Sequence, residues 1–459
     1  MAEEVMLVRP TAPLMLTVAA VLAAGTLTAC GGDSGDDPNT LQVAFPKDTN
    51  NKVTVRDDYV EYVAKQFEKA HPGKTVELVP IQASQQDYYT KIQQMMRSPQ
   101  TAPDLVYEDT FLINSDIESG YLLPLDPYLK KWKYWDRFED SAKTAAKARN
   151  GKTYGVPDGT DTRALWFNRE IFAKAGLPED WKPQTWDDVL QAARTIDREV
   201  PGVIPLNVFT GKAAGEAAAM QGFEMLLYGT GRDPLYDPQS EKWVTGSQGF
   251  VDSLEFIDTV YADGLGPDVS DALSPNIQTR VPTELLPEGD LAIALDGSWL
   301  GNQWLDTGGR PWPDWSGTMG MAPMPTQDGQ QPGSVSMSGG WTWSIPENSG
   351  NHDLAWKLIE TLQTPENARE WCIRGAQIAV REDVAQHPEY RKSMPGIEFF
   401  TDLVEVTHYR PALPVYPRVS GALTEAMEKV TTGDASPREA AKTYDEELRT
   451  LTDGAVVQR

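Results

Sequence analysis

Histidine and cysteine, two side chains that often catalyse reactions or hold metals, are few in this chain and lack the familiar spacings. No two of the four histidines have the HxxxH spacing of a metal-binding helix. The sequence contains no GxSxG nucleophile turn, no phosphate-binding P-loop and no CxxC pair. It therefore predicts no metal and no cofactor, and it offers no motif for catalysis. The histidines are His71, His352, His387 and His408.

The thiol of Cys30 has a distinctive context. It closes an apolar run at residues 14–30 that has the length of a signal-peptide core and is too short for a transmembrane helix. The ending Leu27-Thr28-Ala29-Cys30 resembles a bacterial lipobox, in which the cysteine is acylated and becomes the mature N-terminus. We therefore expect residues 1–29 to be a lipoprotein signal peptide and Cys30 to anchor the chain to a membrane. An ordinary signal peptide with a chance cysteine is the alternative.

The segments on either side of the apolar run fit this interpretation, with one departure. Glu3 and Glu4 precede Arg9, although this region of a signal peptide is usually basic, so either Met1 or Met6 could be the start. Residues 30–40 are rich in Gly, Ser, Asp and Pro and are expected to form a flexible tether. No second long apolar run follows. We expect a protein on the extracellular face of the cell membrane, or in a periplasm.

The net charge of the chain argues against nucleic acids as partners, and its composition indicates how many domains it can form. The formal charge is −26, and residues 1–29 contribute only −1 of it, so the surface repels phosphates and anionic headgroups and no nucleic acid is expected as a partner. With 40% hydrophobic residues the chain can bury the cores of two domains. If Cys30 is acylated, Cys372 has no disulfide partner and is expected to be a small buried hydrophobe.

The first elements that would position a site alternate between strand and helix. Strand patterns at 41–45, 75–79 and 104–107 enclose helical patterns at 57–70 and 84–97. This order predicts a parallel sheet, and such sheets bind ligands at the carboxyl ends of their strands. The loops at 46–50 and 108–111 are therefore candidate ligand loops.

A second α/β block is expected from about residue 160. Its predicted elements are helices at 185–199, 215–228, 247–262, 351–363, 365–374, 397–407, 421–432 and 437–452 and a buried strand at 291–295. Residues 297–345 are rich in Gly and Pro and hold six of the fourteen tryptophans. These are Trp299, Trp304, Trp312, Trp315, Trp341 and Trp343.

Several segments in order resemble the extracellular solute-binding proteins of ABC importers, in the carbohydrate-binding family that includes maltose- and trehalose/maltose-binding proteins. Together they cover nearly all of the chain after residue 40. The segments are DLVYED at 104–109, SGYLLPLD at 119–126, GKTYGVP at 151–157, ALWFN at 164–168, PQTWD at 183–187, GDLAIALDGSW at 289–299 and SGGWTW at 338–343.

The resemblance implies an α/β fold of two lobes, each a mainly parallel sheet flanked by helices, with the ligand in the cleft between them. It also implies hinge closure on a sugar, a di- or short oligosaccharide, which a membrane permease then receives, with no reaction on the sugar. A monomer is expected. The implied parts are lobe 1 from 41–158 and 339–386 and lobe 2 from 161–337 and 388–459, with crossings near Asp158–Asp161, Ser338 and Gln386.

The family also implies candidate ligand-binding residues. A sugar needs flat aromatic rings for its C–H faces and polar groups for its hydroxyls. Trp299 and Trp341 match stacking positions, and Trp343 shares a face with Trp341 if the stretch is extended. Gly340 lets the backbone approach a ligand. The polar candidates are Asp48, Asn50, Asp109, Asp161, Arg163 and Arg410.

Some of these residues have structural alternatives, and the family pattern is incomplete. Asp109 could cap a helix, Asp161 could be a turn residue, and the tryptophans could be core. Gly159 stands where relatives often carry an aromatic residue, and a late tryptophan of the maltodextrin binders falls near Ser420, which disfavours a long linear maltodextrin. A secreted glycoside hydrolase, using two of the 67 acidic residues, and a structural lipoprotein without a ligand are the competing hypotheses.

Replacing Cys30 tests the predicted anchor. In Cys30→Ala the thiol that would carry the lipid is missing, so we expect the protein to be released from the membrane or to fail in maturation. Membrane and soluble fractions of expressing cells would be compared with those of the parent protein. A variant that partitions with membranes as the parent does would show that Cys30 is not the anchor.

Overall fold

The computed structural model describes residues 37–50 and 53–459, apart from the side chain of Gln86. The expected signal peptide, Cys30 and most of the tether lie outside these residues. Within them, no helix is long and apolar enough to cross a membrane.

Two larger and two smaller sheets organise the described chain. The strands are β1 (Thr40–Lys47), β2 (Thr75–Gln82), β3 (Leu105–Asp109), β4 (Val156–Gly159), β5 (Arg163–Asn168), β6 (Ile204–Asn207), β7 (Tyr236–Asp237), β8 (Lys242–Thr245), β9 (Leu291–Gly297), β10 (Met319–Ala322), β11 (Met324–Pro325), β12 (Ser334–Ser338), β13 (Trp341–Ser344), β14 (Thr407–Tyr409) and β15 (Val456–Gln458).

The sheets are mixed, and this corrects one detail of the predicted fold. In the five-stranded sheet, ordered β2-β1-β3-β13-β4, β1 runs parallel to β2 and β3 as expected, whereas β13 runs antiparallel to β3 and β4. In the four-stranded sheet, ordered β10-β5-β9-β6, only β6 and β9 are parallel. The expectation of mainly parallel sheets is therefore wrong for this second sheet. The smaller sheets are β11-β12-β14 and β15-β8-β7.

The longer helices lie where periodicity and capping residues predict them. The helix Trp186–Glu199 begins with a capping box in which Thr185 and Asp188 each bond the other's backbone N–H. The other helices of ten or more residues are Val55–Ala70, Gln85–Met96, Gln248–Ala262, His352–Leu362, Pro365–Arg374, Tyr416–Thr431 and Pro437–Leu451.

Shorter helices connect these elements. The α-helices are Ile113–Glu118, Asp126–Leu129, Asp140–Ala145, Arg169–Lys174, Met225–Gly229, Val269–Ala272, Ile277–Arg280, Leu286–Glu288, Leu300–Gln303, Trp315–Thr318, Glu382–Ala385, Pro388–Arg391 and Ile397–Asp402. Three 3₁₀ helices, Trp135–Arg137, Lys212–Ala214 and Leu403–Val406, and two π-helices, Ala218–Glu224 and Val281–Leu285, complete the set.

Separate hydrophobic cores support the two larger sheets. On the five-stranded sheet, Phe45 of β1 and Tyr107 of β3 pack with Phe67 of the first helix. On the four-stranded sheet, Trp166 of β5 and Ile293 of β9 belong to another core. The chain passes from the first sheet to the second between β4 and β5, and from β12 back to the first sheet at β13. The lobe boundaries given above remain a prediction.

Cys372 is buried as expected. It is 2% exposed and free, and its Sγ lies 3.9 Å from the carbonyl oxygen of Asp158. Burial raises the pKa of the thiol far above its usual range. The side chain therefore packs as a small apolar group rather than as a reactive thiol.

Candidate functional site

Strand pairing brings the sequence-predicted residues to one place. In the five-stranded sheet Asp109, the last residue of β3, pairs with Trp341, the first residue of β13. In the four-stranded sheet Arg163, the first residue of β5, pairs with Gly297, the last residue of β9. Asp109, Trp341 and Arg163 line a common cavity of about 230 Å³. The site thus forms where the ends of two sheets meet.

A parallel strand pair adds two more groups to this cavity. Ser338 of β12 pairs with Tyr409 of β14, so the residues that follow, Gly339 and Arg410, emerge side by side. Gly340 comes next, with φ of 120°, and a Cβ there would lie 2.7 Å from the carbonyl oxygen of Gly159. Only glycine fits this close backbone contact, so Gly340 is required by the local structure.

Arg410 links the two sides of the cavity through buried ion pairs. Its Nη2 lies 3.1 Å from Oδ1 of Asp109 and 2.7 Å from Oγ1 of Thr110, and its Nη1 lies 3.1 Å from Oε1 of Glu216. The Arg410 and Asp109 side chains are each 7% exposed. The neighbouring carboxylates hold the pKa of Arg410 above its ordinary value despite its burial.

Asp109 is satisfied by protein donors. Its Oδ2 accepts hydrogen bonds from the hydroxyl of Tyr89, at 2.6 Å, and from the amide of Gln85, at 3.0 Å. Its Oδ1 accepts the backbone N–H of Phe111 at 2.7 Å, in addition to Arg410. Asp109 therefore does not cap the next helix, whose N-cap residue is Leu112, but holds the turn before it and lines the cavity.

A second ion pair lies beside the first. Arg163 donates to Asp161, and its Nη1 also lies 3.0 Å from the carbonyl oxygen of Met337. Asp161 in turn accepts the backbone N–H of Gly339 at 2.8 Å. The guanidinium of Arg163 lies 4.8 Å from the ring centroid of Trp299, a cation–π arrangement that holds the ring against the cavity wall.

Trp299 depends on the residue two positions before it. Its six-membered ring lies over Gly297, where an added Cβ would come within 2.0 Å of Cζ3. The ring is partly buried and lines the cavity. The Gly297-Ser298-Trp299 sequence thus lets the indole fold back over its own backbone and present a face to the cavity.

Trp341 and Trp343 share a face of β13, as expected, but differ in depth. Trp341 is partly buried, lines the cavity, and stacks on Tyr107 at 5.0 Å between ring centroids. Trp343 is 1% exposed and packs at 4.6 Å on the same tyrosine within the core. Trp343 therefore lies beneath the cavity wall rather than in it, two residues along the strand from Trp341, and its contact with a ligand remains a prediction.

Asp48 and Asn50 lie away from this cavity. Asp48 lines a second one of about 190 Å³, and its Oδ1 accepts the backbone N–H of Asn50 at 2.7 Å. The two cavities share the Trp299 ring as a wall. The structure therefore brings seven of the ten predicted ligand-binding residues together, and their contact with a ligand remains a prediction.

Sequence reasoning missed four polar residues of the cavity, Gln85, Glu216, Gln221 and Gln278. Of these, Glu216 and Gln221 lie close together in the chain. Both belong to a helical segment that becomes a π-helix at Ala218–Glu224, a conformation often found at functional sites. Gln221 accepts from Nε of Arg163 at 3.3 Å. The two acidic residues of the mostly apolar run 213–229, Glu216 and Glu224, were the available signal for Glu216, because charge in a buried helix needs a partner.

Burial governs the protonation of the acids around the site. It raises the pKa of Glu216, although Arg410, Ser420 and Tyr416 oppose the rise. It raises the pKa of Asp296, beside Arg163, to about 7. In the described part of the chain, no three His, Cys, Asp or Glu side chains are placed to hold a metal ion.

This arrangement suits recognition of a polar, uncharged molecule with flat faces. Two indole rings, Trp299 and Trp341, offer apolar area, while hydrogen-bonding groups converge between them. Both guanidinium groups already have carboxylate partners. The three carboxylates, Asp109, Asp161 and Glu216, outnumber the two cations, so a second negative charge is unfavourable there.

Known proteins resemble this chain along most of its length. A binding protein of Brucella abortus is 24% identical over 384 residues, which are 83% of this chain and 86% of that protein. The galactooligosaccharide-binding protein of Bacillus subtilis is 23% identical over 376 residues, 82% of each chain. The structure of an ABC transporter solute-binding protein from Thermotoga lettingae, bound with α-D-tagatose, matches with a TM-score of 0.76 and 25% identity, covering 90% of this chain and 99% of that one.

These matches confirm the mixed α/β fold of two lobes. The family model described as "Bacterial extracellular solute-binding protein" matches residues 51–369, more than half of the sequence. The chain therefore belongs to the bacterial extracellular solute-binding protein family.

Proposed function

We propose that this protein captures an uncharged sugar outside the cytoplasm and delivers it to the permease of an ABC importer. The observation that carries the proposal is the pairing of two indole rings with ion-paired polar groups in one cavity. The names of two relatives, a galactooligosaccharide-binding protein and a protein bound with tagatose, support a sugar as the ligand. A di- or short oligosaccharide is the expected size, and lobe closure around it is the expected motion.

The charges of the cavity favour a neutral ligand. A sugar hydroxyl can both donate to a carboxylate and accept from a guanidinium, so it can join the existing ion pairs without breaking them. An anionic solute would have to separate Arg410 from Asp109 or Glu216, or Arg163 from Asp161. Separating such pairs leaves a poorly solvated charge, which is costly.

The same pairs argue against the hydrolase hypothesis. A glycoside hydrolase needs one carboxyl group that keeps its proton until it reaches the leaving oxygen. Here Asp109, Asp161 and Glu216 each form an ion pair with a guanidinium, so each carboxyl group is already held by a protein partner and is not free to protonate a leaving oxygen. We therefore propose binding without turnover.

The remaining parts of the proposal rest on the sequence. Cleavage after Ala29 and acylation of Cys30 would hold a monomeric protein at the outer face of the membrane, beside its permease. The tether at residues 30–40 would let the lobes move relative to the anchor.

Binding and turnover can be tested with the same sugars. We expect at least one of D-tagatose, galactobiose, maltose and their short oligomers to raise the melting temperature of the chain, because a ligand at 100 times its dissociation constant adds about 2.7 kcal/mol. The matching uronic acids should give no shift. Chromatography of the incubated sugar should show it unchanged. Hydrolysis at a catalytic rate would support the enzyme instead, and no shift with any sugar would contradict the proposal.

Truncating three tryptophans separates cavity walls from core. Trp299→Ala should weaken sugar binding by about 2–4 kcal/mol, roughly thirtyfold to a thousandfold. Trp343→Ala should instead lower folding stability by about 3–5 kcal/mol. Trp341→Ala should do both, because its ring lines the cavity and stacks on Tyr107. For each variant, the affinity is measured by calorimetry and the melting temperature is measured without ligand. A near-normal affinity in Trp299→Ala would show that this ring is not part of the sugar site.

A glycine substitution tests the position of the Trp299 ring without removing it. The new Cβ of Gly297→Ala would lie 2.0 Å from the indole, so the ring must leave its present position, which includes its 4.8 Å contact with the Arg163 guanidinium. We expect sugar affinity to fall roughly tenfold, because a binding group has to be held within about 0.5 Å of its place. Gly317→Ala is the matched control, since nothing lies within 4 Å of the added atom. Equal affinities in the two variants would contradict the proposed role of the ring.

A further inference from the structure

The hydroxyl oxygen of Tyr416 lies within hydrogen-bonding distance of two carboxyl groups, those of Glu216 and Glu224. Two hydrogen bonds need two protons, and the hydroxyl group has only one. The Tyr416 hydroxyl lies 2.9 Å from Oε1 of Glu216 and 2.5 Å from Oε1 of Glu224. A tyrosine hydroxyl carries one proton and can donate to only one of these carboxyl groups. The other contact is a hydrogen bond only if that carboxyl group carries a proton of its own.

The partners of the two carboxyl groups identify which one is protonated. Glu216 accepts from the guanidinium of Arg410 at 3.1 Å and from the Ser420 hydroxyl at 2.7 Å, and both bonds suit a carboxylate. Glu224 is fully buried, contacts no cation within hydrogen-bonding distance, and its Oε2 has no partner among the described residues. A carboxylate so placed would be far costlier than a neutral acid.

We propose that Glu224 is a positioning residue that keeps its proton, donates it to Tyr416, and so directs the tyrosine hydroxyl onto Glu216. The chain of bonds runs from Glu224 through Tyr416 and Glu216 to Arg410, which lines the cavity. Glu224 itself does not line the cavity. Its effect on the ligand passes through Glu216 and Arg410, so the inference deepens the proposed function and rests on it.

The electrostatics of the surrounding elements agree with this assignment. Burial, followed by the charge of Glu216, raises the pKa of Glu224 to about 8, although the Tyr416 bond and the two arginines oppose the rise. Two nearby tyrosines, the partly buried Tyr228 and the buried Tyr444, have their own pKa values raised by burial first and then in part by the charge that Glu224 carries once it has lost its proton. The titratable and charged groups around Glu224 are Glu216, Tyr416, Arg410, Arg163, Tyr228 and Tyr444.

A pH dependence of binding follows. Below about pH 8 Glu224 holds the proton and the chain of bonds is complete. Above that pH the proton is lost and two carboxylates compete for one hydroxyl proton, so Glu216 shares the Tyr416 bond with Glu224 and keeps only its bonds from Arg410 and Ser420 undivided. If binding needs the protonated form, the competent fraction at pH 9 is roughly a tenth, so affinity should fall about tenfold from pH 7 to pH 9.

Infrared difference spectra test the protonation without any ligand. A protonated carboxylic acid has a carbonyl stretch distinct from the bands of a carboxylate, so the pH 7 minus pH 9.5 spectrum of the whole protein should contain this band. Other buried acids contribute, since Asp116, Asp158 and Asp296 have pKa values raised to about 7. The Glu224→Gln variant should therefore lack one component with a midpoint near pH 8. An unchanged spectrum in Glu224→Gln would overturn the inference.

Affinity measurements test the positioning role. The probe is whichever of D-tagatose, galactobiose or maltose gives the largest thermal shift. Wild type should lose about tenfold in affinity between pH 7 and pH 9. Glu224→Gln should bind normally at pH 7 and show no loss, because its amide donates to Tyr416 at every pH. A fall of equal size in both proteins would overturn the inference.

A pair of tyrosine variants distinguishes the loss of these hydrogen bonds from a general disturbance of packing. Tyr416→Phe should weaken binding about tenfold or more at pH 7 and remove the pH dependence. Tyr444→Phe is the matched control: Tyr444 is also buried near Glu224, but its hydroxyl has no hydrogen-bond partner among the described residues. Equal effects of the two variants would contradict the inference. Failure of the proposed function would appear differently, as no binding of any sugar beside an intact infrared signal.

Discussion

The buried guanidinium of Arg410 is the constraint around which the rest of the site is arranged. A charge at 7% exposure is tolerated only when it is paired, and its partners come from opposite sides of the cavity. Asp109 follows strand β3, and Glu216 begins the helical segment that contains the π-helix. Each partner is in turn held by buried tyrosines, Tyr89 on one side and Tyr416 on the other. The position of one cation therefore fixes groups in two separate parts of the fold.

The site combines rigid placement with groups that can exchange partners. Asp109, Trp341, Arg163 and Gly297 are strand-terminal residues, and strands hold side chains more accurately than loops do. The polar groups between them are already bonded to one another, so a ligand meets an ordered set of donors and acceptors. Its hydroxyl groups can share these bonds, and the indole faces supply the apolar area.

The sequence predicted the elements better than it predicted their pairing or the depth of their side chains. The helix from Trp186 follows from a capping box and regular apolar spacing, which are local signals. The antiparallel pairing of β5 with β9 joins residues more than a hundred positions apart and has no local signature. Likewise, Trp341 and Trp343 have the alternate spacing of one strand face, but spacing alone cannot say which ring reaches the cavity.

The missed residues have a physical explanation as well. Glu216 and Gln221 lie in a helix whose register shifts at a π-turn, so the usual three- and four-residue spacing does not identify the face that meets the cavity. Family resemblance placed the strand-end residues, because strand ends are marked by short glycine-containing motifs such as those at 297–299 and 339–341. The family resemblance did not identify the cavity residues of the helical segment at 216–229, where the only signal is two acidic residues in a mostly apolar run.

The burial of Cys372 makes the molecule suited to optical study of its motion. A form of the chain that begins after Cys30 contains this one thiol, which is 2% exposed and keeps its proton at neutral pH. Maleimide dyes react with exposed thiolates, so they would leave Cys372 unmodified. Two cysteines introduced at exposed positions, one on the helices of each larger sheet, could thus be labelled without removing the native residue. Energy transfer between the dyes would then follow opening and closing in single molecules.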